Sequence, residues 1–249
     1  MFNLNNKVAI VTGARTGLGQ GVALELAKAG ADIVCVGSTK MDETVEKITK
    51  LGRKVLFIQA DLTKTDKIQE IVDSTVKEFG HIDILVNNAG TIRRNDSVDF
   101  TEKDWDDVMN LNLKTLFFLS QKVAKQFILQ GNGGKIINIA SLLSYQGGIR
   151  VPSYTASKGG VKTLTMLMSN EWAKHNINAN AIAPGYMVTD NTEALRNDEQ
   201  RASEILGRIP AGRWGTPEDI GGTAVFLASS ASDYINGFTI AVDGGWLGR

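Results

Sequence analysis

Tyr154 and Lys158 are the residues whose types and spacing most directly suggest chemistry. Four residues apart, they share one face of a helix. A free phenol has a pKa of about 10 and exchanges protons poorly near neutrality. An ammonium about 4 Å away interacts by roughly 4 kcal/mol at an effective dielectric near 20, enough to lower that pKa by up to about 3. A phenol adjusted in this way gives a proton to a ketone, or takes one from an alcohol, near pH 7. The same spacing also suits a solvated surface pair, so the company of the pair decides between the two.

That company is a regular alternation of strands and helices. Residues 7–11 form a short β-branched apolar run, which reads as a strand buried on both faces. Thr12-Gly13-Ala14-Arg15-Thr16-Gly17-Leu18-Gly19 follows at once, and a helical pattern then runs to Gly30. Strand, glycine turn and helix is the context of a dinucleotide fingerprint. Its glycines turn the backbone tightly and let a pyrophosphate approach the positive helix end. Gly13, Arg15, Thr16, Gly17, Leu18 and Gly19 are therefore the candidate phosphate-binding residues.

The second strand, 32–36, ends without the acidic residue that usually holds the adenosine ribose of NAD. Gly37-Ser38-Thr39-Lys40 stands there instead. Ser38 suits a ribose hydroxyl, whereas Lys40 or Arg15 suits the extra phosphate of NADP. Both cofactors stay compatible with this strand end. Further strands fall at 55–59, 82–86, 135–139, 179–182 and 239–242, separated by helical stretches at 41–51, 65–79, 101–130 and 154–175. Asp61 and Leu62 close the third strand; Asp61 suits either a local cap or an adenine amino group. Asn87-Asn88-Ala89-Gly90 closes the fourth, with small and amide residues that suit a backbone lying against a cofactor. Asn112 sits inside a long helical stretch, where a buried amide calls for a partner. Residues 190–216 are polar and irregular, with a short helix near 199–206, and read as a lid over a site. One doubly wound α/β domain over 1–249, with a parallel sheet of about seven strands and helices on both faces, accommodates all of this.

Bulk composition narrows the function classes. The 27 Lys and Arg balance the 27 Asp and Glu, so no net field draws in nucleic acid or an anionic membrane. No apolar run approaches the roughly 18 residues that span a bilayer. The single cysteine, Cys35, excludes a disulfide framework and fits a reducing cytoplasm. Two histidines and no Cys/His cluster argue against a metal site.

Taken together, Thr12-Gly13-x-x-x-Gly17-x-Gly19, Asn87-Asn88-Ala89-Gly90, Asn112, Ser141, Tyr154-x-x-x-Lys158 and Pro184-Gly185 resemble the short-chain dehydrogenase/reductase family over nearly the whole chain. The resemblance implies a Rossmann-type fold and a role for each position. Tyr154 would be the acid/base, in contact with both cofactor and substrate. Lys158 would lower its pKa and hold the nicotinamide ribose. Ser141 would bond the substrate oxygen, and Asn112 would order a water in a proton relay. Asn88, Ala89 and Gly90 would line the cofactor. Pro184, Gly185, Val188 and Thr189 would lie along the nicotinamide, Val188 near the carboxamide and Thr189 near a phosphate.

Gly90-Thr-Ile-Arg93-Arg94, Trp105-Asp-Asp-Val-Met-Asn-Leu-Asn112, Ser153-Tyr-Thr-Ala-Ser-Lys158, Asn170-Glu-Trp-Ala-Lys-His175 and Ile209-Pro-Ala-Gly-Arg-Trp214 look closer still to family members acting on keto-deoxy sugar acids. That similarity implies NAD as the favoured cofactor, with NADP possible, and a homotetramer. Arg93, Arg94 and Arg150 fall in loops where the substrate binds, and arginine grips carboxylates through two parallel hydrogen bonds. Arg94, Arg150 and Gln146 are thus the expected substrate contacts, beside Ser141 and Tyr154. Oxidation of gluconate at C5, reduction of a 3-oxoacyl thioester and a non-catalytic dinucleotide sensor stand as alternatives.

Overall fold

A sheet of seven parallel strands in the order β3-β2-β1-β4-β5-β6-β7 organises the chain. The computed structural model describes residues 1–249, the side chain of Asn191 apart. The strands are β1 (Val8–Thr12), β2 (Asp32–Gly37), β3 (Val55–Gln59), β4 (Ile84–Asn87), β5 (Gly134–Ile139), β6 (Ile177–Pro184) and β7 (Thr239–Val242). The chain starts in the middle of the sheet and winds outward twice, so β1 and β4 lie side by side at the switch point. Ligand crevices in open α/β sheets form at the carboxyl ends of such a pair.

Strand residues alternate between two cores because successive side chains face opposite ways. Ile10, Val34, Val36, Leu85 and Ile136 pack under α3 (Ile68–Phe79), α5 (Leu116–Gln130) and α6 (Pro152–Trp172). Ala9, Val11, Ile33, Cys35, Val86 and Ile139 pack under α1 (Gly17–Lys28), α2 (Asp42–Lys50) and α9 (Pro217–Ala228). Helices therefore cover both faces, as the unalternating apolar strands require. Helix ends follow local chemistry. Pro152 and Pro217 stand in the first turns of α6 and α9. Gly80 and Gly131 end α3 and α5 in the left-handed conformation. Among the described residues, no helix is long and apolar enough to cross a membrane.

The helical stretch expected over 101–130 has three parts. These are α4 (Glu102–Met109), a π-helical segment at Asn110–Thr115, and α5. The wider π turn re-aims the side chains that follow it, and Asn112 lies within it. The segment expected as a lid contains α7 (Glu193–Asn197) and α8 (Glu199–Arg208). Its apolar face, Ile205 and Ile209, joins a separate small cluster with Leu142 and Trp246.

Candidate active site

At the end of β1, the Thr12 hydroxyl ties two strands together. It donates to the Val86 carbonyl at 3.3 Å and accepts the backbone N–H groups of Asn88 and Ala89, each at 3.0 Å. The Asn88 amide returns the contact, donating to the carbonyls of Thr12 at 2.9 Å and Gly13 at 3.2 Å. Two segments far apart in sequence are thereby clamped into one floor. Gly13 has φ +66°, and a Cβ there would stand 3.0 Å from the Ala89 Cα. A Cβ on Gly19 would overlap the Gly13 carbonyl and the Asn88 amide. Only glycine fits this crossing. Above it, α1 begins at Thr16 with no side-chain cap and no acidic residue in its first turn. Its positive dipole end lies beside the side chain of Thr189, the nearest group to Gly17, and the preceding Arg15 is exposed.

The far edge of this crevice is formed by β2 and β3. Ser38 and Lys40 are exposed at the end of β2, and the Ser38 carbonyl accepts from Gln59 at 2.9 Å. The Asp61 carboxylate accepts from the Thr63 hydroxyl at 2.7 Å and the Thr63 N–H at 3.0 Å, and both bonds hold its pKa below the usual value. Asp61 is thus a local turn cap with one oxygen engaged, while Leu62 is buried in the core. On the near side, Gly185 packs so tightly on Asp243 that a Cβ would come within 2.6 Å of its Cα. Val188 is pinned by its N–H to the Gly215 carbonyl at 2.8 Å.

The Tyr154 pair lies across the crevice, on the first two turns of α6. Lys158 is 5% exposed, and its ammonium donates to the Ile139 carbonyl at 2.6 Å. The Nζ sits 5.5 Å from the Tyr154 ring centroid. Ser141, just past β5, stands close enough to the Tyr154 hydroxyl to act on its pKa, and caps the following turn by accepting from Leu143 at 3.2 Å. The Ser144 hydroxyl donates to the Lys158 carbonyl at 2.6 Å and fixes α6 against that turn. Asn112 is 1% exposed; its Oδ1 accepts from the Thr91 N–H at 2.8 Å and its Nδ2 donates to the Thr91 carbonyl at 2.9 Å. The same amide reaches the Ser157 hydroxyl at 3.3 Å, one turn from Tyr154.

The electrostatics differ from the expectation built on spacing. Burial raises the Tyr154 pKa, while the Ser141 hydrogen bond and the charge of Arg94 act to lower it. Burial also lowers the Lys158 pKa, from 10.5 to about 8. The ammonium is directed at a strand carbonyl rather than at the phenol oxygen, so the lowering expected from Lys158 is not the dominant effect on Tyr154. Desolvation is, because Lys158 is buried and Tyr154 half-buried against it.

The expected substrate residues separate. Arg94 is exposed, and its charge reaches Tyr154. Arg150 pairs with Asp96 at 3.0 Å on the rim, and Arg93 is held by Asp107 at 3.3 Å and the Thr91 hydroxyl at 3.0 Å. Asp107 stands on α4 and Asp96 in the loop before it. The Trp246 indole N–H donates to Gln146 Oε1 at 3.4 Å, in a group where Tyr186 stacks 4.7 Å from the Trp246 ring and Arg208 lies 4.0 Å over it. Thr12 and Ser157 stand inside the quoted motifs, yet the sequence assigns them no role. Their hydroxyls matter through contacts across the fold, and only the position of Thr12 before Gly13 signals one of them.

A glycine crossing at the switch point of a parallel sheet, facing a half-buried tyrosine and serine beside a buried lysine, defines a dinucleotide-dependent oxidoreductase architecture. A family model described as enoyl-(acyl carrier protein) reductase matches residues 13–247. The chain belongs to the short-chain dehydrogenase/reductase family. It is 69% identical over 248 residues to the 2-dehydro-3-deoxy-D-gluconate 5-dehydrogenase of Escherichia coli (strain K12), covering 100% of this chain and 98% of that protein. The enzyme of the same name from Dickeya dadantii (strain 3937) is 65% identical, with the same coverage. Among solved structures, the gluconate 5-dehydrogenase of Burkholderia cenocepacia J2315, in complex with NADP and tartrate, is 38% identical with TM-score 0.95. The match covers 100% of this chain and 98% of that one.

Proposed function

We propose that this chain transfers a hydride between a nicotinamide dinucleotide and a keto-deoxy sugar acid of the 2-dehydro-3-deoxy-D-gluconate type. The observation that carries the reading is the meeting of three groups at the Tyr154 phenol: Ser141, the buried Lys158 ammonium 5.5 Å from its ring, and the charge of Arg94. The relatives at 69% and 65% identity carry this activity in their names, which supports the substrate class.

The residues fit a dinucleotide on two structural grounds. The glycine crossing leaves no room for a side chain, and the uncapped N-terminus of α1 offers N–H donors to a pyrophosphate. In addition, the buried Lys158 ammonium carries three donors and Ile139 takes one, leaving donors for ribose hydroxyls. When bound, the dinucleotide supplies or accepts the hydride. Gly13 to Gly19 and Thr189 hold its phosphates, and Asn88, Ala89 and Gly90 form the floor beneath it. Ser38, Asp61 and Leu62 border its adenosine end. Pro184, Gly185 and Val188 shape the nicotinamide side. With no carboxylate at the end of β2, and with Lys40 and Arg15 exposed, the adenosine end suits NADP as well as NAD.

In the reduction, Ser141 donates to the carbonyl oxygen and steadies the charge that develops there. Tyr154 then gives its proton to that oxygen. Its raised pKa keeps the phenol protonated and ready to donate, while Lys158, about nine-tenths charged at pH 7, favours the phenolate left behind. Asn112, fixed by Thr91 and Ser157, supports the water that returns the proton. Arg94 grips the substrate carboxylate, Gln146 bonds a hydroxyl, and α7 and α8 form the lid.

A homotetramer in the cytoplasm completes the proposal. Trp105, Phe118 and Met166, exposed on α4, α5 and α6, support self-association. The lone thiol of Cys35 is buried, with its pKa pushed up to about 12, and suits a reducing compartment.

The test is steady-state kinetics with NADH and NADPH over a panel of keto-deoxy sugar acids, 5-ketogluconate, neutral ketones and a 3-oxoacyl thioester. Wild type is expected to prefer the keto-deoxy acids. Arg94→Gln should raise KM for the acids roughly tenfold or more while leaving neutral ketones near their starting values. Preference for the thioester, or equal effects on acids and ketones, would overturn the assignment.

A further inference from the structure

Beneath the dinucleotide floor lies a small cavity lined by Thr12, Asn87, Ala89, Leu111, Thr115 and Leu116, among others. It leaves about 10 Å³ for the centre of a water molecule, enough for one. Two of its lining residues, each 3% exposed, carry a buried polar atom without a hydrogen-bond partner: Asn87 Oδ1 and Thr115 Oγ1. The orientation of Asn87 follows from a chain of bonds through the core. The Thr165 hydroxyl gives its single proton to the Val161 carbonyl at 2.7 Å, so it accepts from Asn138 Nδ2 at 2.9 Å. Asn138 therefore turns its oxygen to Asn87, whose Nδ2 donates to it at 2.8 Å and to the Ser120 hydroxyl at 2.8 Å. What remains to Asn87 is an acceptor oxygen. Thr12 cannot serve it, because its hydroxyl already donates to Val86 and accepts from Asn88 and Ala89.

We infer that this cavity is a binding site for one structural water, which donates to Asn87 Oδ1 and bonds the Thr115 hydroxyl. The water joins β4, which leads into Asn88-Ala89-Gly90, to the π segment that presents Asn112. It thus couples the floor under the dinucleotide to the turn beside the catalytic helix. Burying either atom without a partner would be costly, and an ordered water relieves both at once.

A crystal structure of the wild-type protein near 1.5 Å, paired with calorimetry on variants, tests this. One density peak within about 3.2 Å of both atoms is expected, kept in Thr115→Ser and lost in Thr115→Val. Thr115→Val preserves shape, so the sign of its thermal shift discriminates. Removing a bridged hydroxyl should lower the unfolding midpoint by about 2–4 °C, whereas removing an orphaned one should leave it unchanged or raise it. A dry cavity, a direct Thr115–Asn87 hydrogen bond, or a midpoint that does not fall would each overturn the inference. Should Thr115→Val fail to fold, the wild-type and Thr115→Ser structures decide it alone.

Discussion

Lys158→Met should make the protein more stable and inactive. The lysine is 5% exposed, and burial brings its pKa from 10.5 down to about 8. That difference corresponds to about 3 kcal/mol of opposition to holding the charge in the folded state. Its pKa is lower folded than unfolded, so the unfolded chain binds more protons between about pH 8 and 10.5. Wild-type stability therefore rises with pH across that window, and the full cost is present below it. Methionine removes the charge and keeps most of the volume, but forfeits the hydrogen bond to the Ile139 carbonyl, worth about 1 kcal/mol. The variant should exceed wild type by about 2 kcal/mol at pH 7 and by about 1 kcal/mol at pH 9, because wild type has by then shed most of its charge. Urea unfolding of both proteins at the two pH values reads this directly, and taking the difference cancels the groups they share. A less stable variant at pH 7, or a gap that does not narrow by pH 9, would refute the claim that this ammonium is held against its solvation.

Two further outcomes follow from the same geometry. Gly19→Ala puts a Cβ into the Gly13 carbonyl and the Asn88 amide, so dinucleotide affinity measured by nicotinamide fluorescence should fall at least tenfold. Replacing Arg15 and Lys40 together by Ala should raise KM for NADPH roughly tenfold and for NADH by less than about twofold, since only the former carries the additional phosphate.

Much of the fold is written in local patterns. The unalternating apolar strands gave away a sheet covered on both faces, and Thr12 to Gly19 marked its switch point. The π segment was hidden, because six residues of helical pattern look alike whether the turn is tight or wide; only the polar Asn112 within it raised a question. Tyr154 and Lys158 could be paired by spacing. The direction of their pKa values could not be read the same way, since it depends on how deeply α6 buries both groups. Likewise the Asp96 that pairs with Arg150 lies 54 positions earlier. Partners separated by that much chain leave no mark on a linear pattern.

The central claim is that the Tyr154 hydroxyl moves the proton. Single-turnover kinetics of Tyr154→Phe with saturating reduced dinucleotide, alongside its binding constant, test this most directly. The account predicts wild-type dinucleotide affinity within about threefold and a chemical step slowed at least a thousandfold. A chemical step within about tenfold of wild type, with the dinucleotide bound, would contradict it.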